Sequence, residues 1–202
     1  MSTLVVLSAV DFEVRPLLDA LAGSGRSVGA LYTGIGALTA AANAREIANQ
    51  SKGAHVVYIG TAGTFGEFKE PWLCTASRVC WLPSGERAGI SYGIPAGQLP
   101  CESLTPDESL GLDAKTVLCS PSISLTRDFA PSWRGMLEPA ECIENLELWS
   151  CLREIKEKAR RIDIIFGITN QVGPDAHAQW KKWHPVAAEM TASHVARWLD
   201  EN

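Results

Sequence analysis

The chain has 202 residues, of which 46% are apolar and 20% are charged, and its formal net charge is −5 at pH 7. This length suits one domain with an ordinary hydrophobic core, because folding would remove roughly 70% of the unfolded surface from water. The negative charge argues against a surface that holds the phosphate backbone of nucleic acids. We therefore expect a single domain over residues 1–202 and no nucleic-acid partner.

The N-terminal segment, MSTLVVLSAVDFEV, has no basic residues before its apolar stretch, which ends at Asp11. The stretch is too short for a signal peptide or a membrane span, which predicts a cytoplasmic protein with no membrane partner. The cysteines form no CxxC pair and show no spacing typical of metal ligands, so we predict free thiols, no metal site and no cofactor. They are Cys74, Cys80, Cys101, Cys119, Cys142 and Cys151.

The first half of the chain alternates strands and helices. Residues 4–9 form an apolar run that predicts a strand, and DFEVRPLLDALAGSG then carries apolar residues at helical spacing before a glycine stop. Residues 28–33 predict a second strand, which leads through the turn TGIG into an alanine-rich helix. Residues 55–59 predict a buried strand that ends in GTAG, and residues 72–82 show the alternation of a strand in a curved sheet.

The second half continues this alternation after a long connection. Residues 83–113 are rich in Gly, Pro and Ser, and a connection of this length predicts a lid or a subunit contact. Strands are predicted over residues 116–120 and 162–168, and helices over 144–160 and 185–199. The whole pattern predicts an α/β fold, as a single-domain three-layer α/β/α sandwich with a mixed, partly curved central sheet.

Ligands of such sheets lie beyond the carboxyl ends of the strands, and the unusual residues of this chain fall there. Each has a plain structural interpretation as well: glycines allow tight turns, a glutamate in a first turn complements the helix dipole, paired glutamates form a solvated helix face, and asparagine initiates turns. Neither glycine turn has the spacing of a dinucleotide or triphosphate motif. The residues are Glu13, Gly36, Thr61, Gly63, Glu144, Glu147 and Asn170.

Taken in order, these segments resemble the nucleoside phosphorylase and nucleosidase superfamily, from the first strand to the last helix. TGIGALTAA is similar to the family turn TGxGxxxAA, IGTAG to TGSAG, and IENLE to VExME. The last strand, ITNQVGPDAHAQW, is most similar to the pattern ISNxVGxxDxxxW of futalosine hydrolases. Methylthioadenosine/S-adenosylhomocysteine nucleosidases carry Ser-Asp in the same place.

The resemblance implies a role for each residue in cleaving an N-glycosidic bond. Glu13 would be the catalytic base that orients and deprotonates water. Glu147 would accept hydrogen bonds from the ribose hydroxyls, close to the developing positive charge. Leu146 would pack against the sugar, and Leu125 against the purine, where the family has an aromatic residue. The remaining substrate-binding residues that it implies are Gly36, Thr61, Ala62, Gly63 and Glu144.

The same resemblance argues for water rather than phosphate as the nucleophile. Tyr58 stands where phosphorylases carry an arginine before the GTAG-like turn, and Glu13 would repel a phosphate. Asn170 favours a 6-oxopurine such as the hypoxanthine of futalosine or inosine, because an amide can donate to the acceptors N7 and O6. The expected substrate is therefore a small-molecule purine nucleoside. Futalosine would imply menaquinone biosynthesis by resemblance.

Two other functions stay open. An adenine-releasing methylthioadenosine-type nucleosidase would share the fold, and Asn170 argues against it. A nucleoside-binding protein without turnover gains support from Ala176, where the family often has Asp, and from the missing aromatic residue. The resemblance also implies a homo-oligomer. Trp180 and Trp183 are expected to wedge the last helix into the core.

Overall fold

The computed structural model describes residues 3–91 and 99–202. Six helices and eight strands are assigned within these residues. The strands are β1 (Leu4–Ser8), β2 (Val28–Tyr32), β3 (His55–Thr64), β4 (Trp72–Trp81), β5 (Cys101–Ser103), β6 (Ala114–Cys119), β7 (Cys142–Asn145) and β8 (Arg161–Gln171). The helices are α1 (Asp11–Leu21), α2 (Ala37–Gln50), α3 (Ser84–Arg87), α4 (Pro131–Arg134), α5 (Leu148–Lys156) and α6 (Ala176–Glu201), with 3-10 turns at Glu108–Leu110 and Pro139–Glu141.

The strands form one mixed sheet in the order β2-β1-β3-β7-β6-β4-β5. Strand β8 pairs in parallel with β3 and antiparallel with β4, so β3, β7, β6, β4 and β8 close into a five-stranded barrel. The predicted α/β fold with a mixed sheet is confirmed. The sheet is more curved than predicted. Because β8 pairs with both β3 and β4, the expected partial curvature is a closed barrel in the structure.

The side chains of β3 show how the helices form layers. Val56 and Tyr58 point into the core cluster that includes residues of α2 and α5, whereas Val57 and Ile59 point into the cluster of α1 and α6. Alternate residues of a strand face opposite sides of its sheet, so β3 lies between two helical layers. The helices of each pair, α2 with α5 and α1 with α6, also contact each other.

Several predicted boundaries are wrong. Residues 142–145 form a strand between β3 and β6, and α5 begins at Leu148, so Glu144 is a strand residue. Helix α6 begins at Ala176 and contains Pro185, which the sequence suggested as its start. Strands β3 and β8 run on to Thr64 and Gln171 because they pair with each other along their length, which places the candidate residues of both segments inside strands.

The long connection over residues 83–113 contains regular structure. Helix α3, strand β5 and the 3-10 turn at Glu108–Leu110 all lie within it. Residues 92–98, which belong to the predicted lid or subunit contact, lie outside the described residues. In the part of the chain that the structure covers, no helix has both the length and the apolar character needed to cross a membrane.

The prediction of six free thiols is wrong for one pair. Cys80 and Cys101 form a disulfide, with their Cα atoms 4.1 Å apart. They face each other in the antiparallel pairing of β4 with β5, a contact between strands that local spacing does not predict. The four remaining cysteines are free and buried: Cys74, Cys119, Cys142 and Cys151.

Candidate active site

Glu13 is a buried carboxylate in the first turn of α1, directly after β1. Its side chain is 7% exposed. Oε1 accepts hydrogen bonds from the backbone N–H of Thr61 at 3.0 Å and from the Thr61 hydroxyl at 2.8 Å. Oε2 accepts a hydrogen bond from the hydroxyl of Ser8 at the end of β1. The carboxylate is therefore fixed at the carboxyl ends of two neighbouring parallel strands, β1 and β3.

Burial raises the pKa of Glu13 above its ordinary value. The hydrogen bonds from Ser8 and Thr61 act in the opposite direction, because they stabilise the charged form. These donors are neutral hydroxyl and amide groups, so they orient the carboxylate without pairing it with a cation. A carboxylate held in this way, with a raised pKa, suits proton transfer near neutral pH.

A second buried carboxylate, Glu147, lies between β7 and α5. Its Oε1 accepts a hydrogen bond from the backbone N–H of Gly36 at 2.8 Å, and its Oε2 accepts one from Nδ2 of Asn145 at 3.1 Å. Burial raises the pKa of Glu147, and the nearby charge of Glu13 raises it further. Gly36 has a φ of 84°, a conformation that favours glycine, and it precedes the first residue of α2. The structure thus brings the predicted residues Glu13, Gly36 and Glu147 close together.

Asn145 joins the two carboxylates, and the sequence reasoning missed it. Its Nδ2 donates to the backbone oxygen of Thr61 at 3.4 Å as well as to Glu147, while its Oδ1 accepts from the N–H groups of Glu147 and Leu148. The second pair of bonds caps the start of α5. An asparagine just before a helix is a recognisable capping signal, and it could have drawn attention to this residue.

Gly63 lies between two other predicted residues in the sheet. It is paired with Glu144 of β7 on one side and with Asn170 of β8 on the other. A Cβ atom at Gly63 would lie 2.6 Å from Nδ2 of Asn170 and 3.3 Å from Cγ2 of Val172. The glycine is therefore needed to make room for the amide.

The amide of Asn170 is oriented by its neighbours. Its Oδ1 accepts a hydrogen bond from the Thr169 hydroxyl at 2.9 Å, and its Nδ2 donates to the backbone oxygen of Gln171 at 3.2 Å. Because an amide nitrogen carries two hydrogens, one of them is left to donate elsewhere. The expected donation from this amide to a purine stays a prediction.

Glu144 faces the loop that follows β6. Both of its carboxylate oxygens accept hydrogen bonds from Ser124, one from the backbone N–H and one from the hydroxyl. Burial raises the pKa of Glu144. Leu125, the residue after Ser124, is 73% exposed, and its expected contact with a purine stays a prediction. Leu146 is half-buried, between Asn145 and Glu147, and Ala62 is buried in β3.

Trp180 and Trp183, near the start of α6, are half-buried. The prediction that they enter the core is therefore wrong. Trp198, near the other end of the helix, is the tryptophan that packs into the core cluster of α1 and α6. Trp180 instead donates a hydrogen bond from Nε1 to Oγ1 of Thr61 at 3.2 Å. This contact, like those of Ser8 and Asn145, involves a predicted site residue and was not foreseen.

A shallow groove elsewhere has a larger volume than the cavity of about 10 Å³ that Glu13 and Thr61 line. It measures about 630 Å³ and runs along the exposed side of α6, lined by Leu73, Met190 and Arg197 among others. None of the predicted site residues lines it, so we place the candidate site at the buried carboxylates. Within residues 3–91 and 99–202, no group of three or more His, Cys, Asp or Glu side chains could hold a metal ion.

The comparisons with known proteins give matches in structure alone. No protein-family model matches the sequence, and no curated protein matches it. A variant of the 5′-methylthioadenosine/S-adenosylhomocysteine nucleosidase of Helicobacter pylori, with 5′-methylthioadenosine in its active site, is similar to this chain with a TM-score of 0.74 at 13% identity over 100% of both chains. The fold is that of the nucleosidases.

Two further structures extend this result. A futalosine hydrolase variant of Helicobacter pylori strain 26695 is similar with a TM-score of 0.72 at 13% identity, over 100% of both chains. The 5′-methylthioadenosine/S-adenosylhomocysteine nucleosidase of Campylobacter jejuni is similar with a TM-score of 0.72 at 16% identity, again over 100% of both chains. The resemblance seen in the sequence motifs is therefore confirmed for the nucleosidase fold.

Proposed function

We propose that the protein hydrolyses the N-glycosidic bond of a purine nucleoside. The main support is the pairing of two buried carboxylates, Glu13 and Glu147, joined through Thr61 and Asn145 at the carboxyl ends of strands. This is where α/β sheets bind ligands, and the nucleosidase fold makes a nucleoside the natural ligand to test. Fold alone does not decide chemistry, so the argument rests on the two carboxylates.

The reaction requires a nucleophile, stabilisation of a cationic ribosyl transition state and a neutralised leaving group. Glu13 takes a proton from water as the water oxygen bonds to C1′ of the ribose and the C1′–N9 bond breaks. The electron pair of that bond goes to the purine, which takes a proton from solvent. Glu147 accepts hydrogen bonds from the ribose hydroxyls, and its negative charge favours the cationic sugar.

Two features support water over phosphate as the nucleophile. Tyr58, at the position where resemblance places the phosphorylase arginine, is buried and packs against Phe166 with ring centroids 5.7 Å apart. The carboxylates Glu13 and Glu147 occupy the site itself, and their charge would repel a phosphate anion. We therefore propose a hydrolase rather than a phosphorylase.

For the base, we propose a 6-oxopurine, with futalosine or inosine as candidate substrates. Thr169 donates to Oδ1 of Asn170 and Nδ2 donates to Gln171, so one hydrogen on Nδ2 is free to donate to a ligand. A hydrogen-bond donor suits O6 of hypoxanthine, whereas adenine carries at the same position a 6-amino group that is itself a donor. Futalosine as substrate would connect the protein to menaquinone biosynthesis.

Purine release measured by chromatography tests the proposal. Wild type and Glu13→Gln are incubated with futalosine, inosine and methylthioadenosine, each with and without phosphate. We expect hypoxanthine release that does not depend on phosphate and falls at least roughly a hundredfold in Glu13→Gln. Adenine release would favour the methylthioadenosine-type nucleosidase. Ligand binding without release of a purine would favour the nucleoside-binding protein. Either of these two results would contradict the hydrolysis of 6-oxopurine nucleosides.

We also propose that the protein is a homo-oligomer in which a second copy covers the mouth of the site. Ile35 and Leu38, which is 87% exposed, flank Gly36, and the exposed Ile123 and Leu125 flank Ser124. Exposed apolar side chains beside a polar site favour a partner surface. Light scattering should give a mass of at least two chains. A monomer with full activity would contradict this proposal.

A further inference from the structure

Trp180, Thr61 and Glu13 form a chain of hydrogen bonds with a fixed direction. Nε1 of Trp180 lies 3.2 Å from Oγ1 of Thr61, which lies 2.8 Å from Oε1 of Glu13. An indole nitrogen can donate but cannot accept. The Thr61 hydroxyl therefore accepts from Trp180 and donates its own proton to Glu13.

The indole of Trp180 is held by aromatic neighbours. It is stacked on His184 with centroids 4.5 Å apart, and His177 lies parallel to it at 5.7 Å. Phe12, the residue before Glu13, contacts it edge-on at 6.1 Å. Trp180 lies on α6 and Phe12 on α1, and Thr61 lies on β3. The hydrogen bond from Trp180 to Thr61 therefore joins β3 to the contact between these two helices.

The orientation of the Thr61 hydroxyl matters because burial disfavours the charged form of Glu13. A hydroxyl free to rotate could direct its proton to another acceptor, whereas a hydroxyl that accepts from Trp180 keeps the proton on Glu13. The charge of Glu13 is coupled to Tyr58 and Glu147. The elements packed around Glu13, namely α1, β3 and α6, carry the further titratable groups Asp11, Arg15, Asp19, His55, His177, Lys181, Lys182, His184, Glu189, His194, Arg197, Asp200 and Glu201.

We infer that Trp180 is a positioning residue, which keeps Glu13 ionised and correctly oriented by fixing the hydroxyl of Thr61. This role rests on the proposed function insofar as Glu13 is the catalytic base. The relay, meaning the hydrogen bonds from Trp180 to Thr61 and from Thr61 to Glu13, does not depend on the substrate. It gives the half-buried Trp180 a purpose that packing alone does not explain.

The first test needs no substrate. The carboxyl carbon of Glu13, labelled with ¹³C and assigned from its absence in Glu13→Gln, is titrated by NMR in wild type and Trp180→Phe. We expect the pKa of Glu13 to rise in Trp180→Phe, which keeps an aromatic ring but loses the donor. Trp183→Phe, the same change three residues along α6, should leave the titration unchanged. An identical titration in wild type and Trp180→Phe would overturn the inference.

A second pair of variants guards against a simple packing effect. Trp180→Gln supplies an N–H donor without the ring, and Trp180→Met has a similar side-chain length without a donor. If the hydrogen bond matters, Glu13 should titrate nearer to wild type in Trp180→Gln than in Trp180→Met. Equal titrations in these two variants would overturn the inference even if Trp180→Phe fails to fold.

Kinetics provide the second test. In Trp180→Phe we expect kcat/KM for purine release to fall roughly three- to tenfold at acidic pH, the loss of one ordinary hydrogen bond, with the acidic limb moved to higher pH. The same substitution should have no further effect in Thr61→Val, which lacks the hydroxyl, but should keep its effect in Thr61→Ser. If Trp180→Phe lowers kcat/KM by the same factor in Thr61→Val as in wild type, the relay is contradicted. Absence of purine release from every protein would reject the proposed function, and the NMR titration would still decide the relay.

Discussion

Gly63 and Asn170 lie side by side on β3 and β8, and the amide of Asn170 fills the space that a side chain at Gly63 would need. A methyl group there would come within 2.6 Å of Nδ2. The amide would have to move away from the position in which Thr169 and Gln171 hold it. The position of the proposed base-recognising group thus depends on a glycine in another strand.

We therefore expect Gly63→Ala to lower kcat/KM roughly a hundredfold, as displacements of about 1 Å in active sites do. The same variant should lose about 1–3 kcal/mol in free energy of unfolding, because the added methyl group overpacks the strand pair. Steady-state kinetics and urea unfolding measure the two effects. Gly29→Ala is the matched control, since its Cβ would meet open space on β2. Equal behaviour of the two variants would show that the contact with Asn170 does not matter.

Asn170→Asp should shift preference from hypoxanthine towards adenine. Thr169 would still donate to one carboxyl oxygen, while the other would face the backbone oxygen of Gln171, which favours a protonated acid there. When adenine is bound, such an acid can turn its proton from the Gln171 oxygen to N7 and transfer it there. We expect the ratio of kcat/KM for methylthioadenosine to that for inosine to rise roughly tenfold or more. Asn49→Asp makes the same change on the surface, and an equal ratio in both variants would count against Asn170 as the base contact.

Glu147→Gln should become more stable relative to wild type as the pH rises. Unfolded chains release the proton of a glutamate above about pH 4.3, whereas burial raises the pKa of Glu147 in the folded protein. The folded state therefore binds more protons between these two pKa values, and the wild type loses stability as the pH rises through that range. The glutamine variant has no proton to lose.

Urea unfolding followed by tryptophan fluorescence at several values from pH 4 to pH 8 measures this difference. The exposed Glu157→Gln, at the end of α5, controls for the removal of one negative charge. A difference between wild type and Glu147→Gln that stays constant over the whole pH range would rule out the buried charge as its cause.

The cysteines should differ sharply in reactivity. Burial raises the pKa of Cys74, Cys142 and Cys151 to about 12, and raises that of Cys119 further, so few thiolates form in the native protein. Mass spectrometry after iodoacetamide treatment at pH 8 should find almost no label in the native state. Unfolding without reductant should allow four labels and unfolding with reductant six, because Cys80 and Cys101 are joined. Six labels without reductant would contradict the disulfide.

Local patterns predicted the order of the main elements but not the long-range pairing. The strands at residues 55–59 and 162–168 were found from their apolar runs, but their extension to Thr64 and Gln171 depends on pairing between them. Strand β7 has four residues, CIEN, and Ile143 is its one aliphatic residue, so nothing local separates it from the following helix. Barrel closure depends on contacts between β4 and β8, about ninety residues apart in sequence, a type of contact that periodicity does not reveal.

The candidate site followed a similar division. The family resemblance indicated Glu13, Thr61 and Glu147, and the structure connects these three through Asn145. Asn145 was missed and Trp180 was assigned to the core, because their hydrogen bonds to Thr61 join residues that are distant in sequence. Leu125 was assigned to the purine by its position in the chain, and the structure shows only that its side chain is exposed.

The closure of the barrel has a consequence for how this protein can associate with other chains. The candidate residues that lie on strands belong to β3, β7 and β8. Each of these three strands has hydrogen-bonded neighbours on both sides. Among the described residues, the sheet ends at β2 and β5, whose outer backbone groups could accept an added strand. Intermolecular strand addition would therefore begin at those two edges, and β3, β7 and β8 would keep their register.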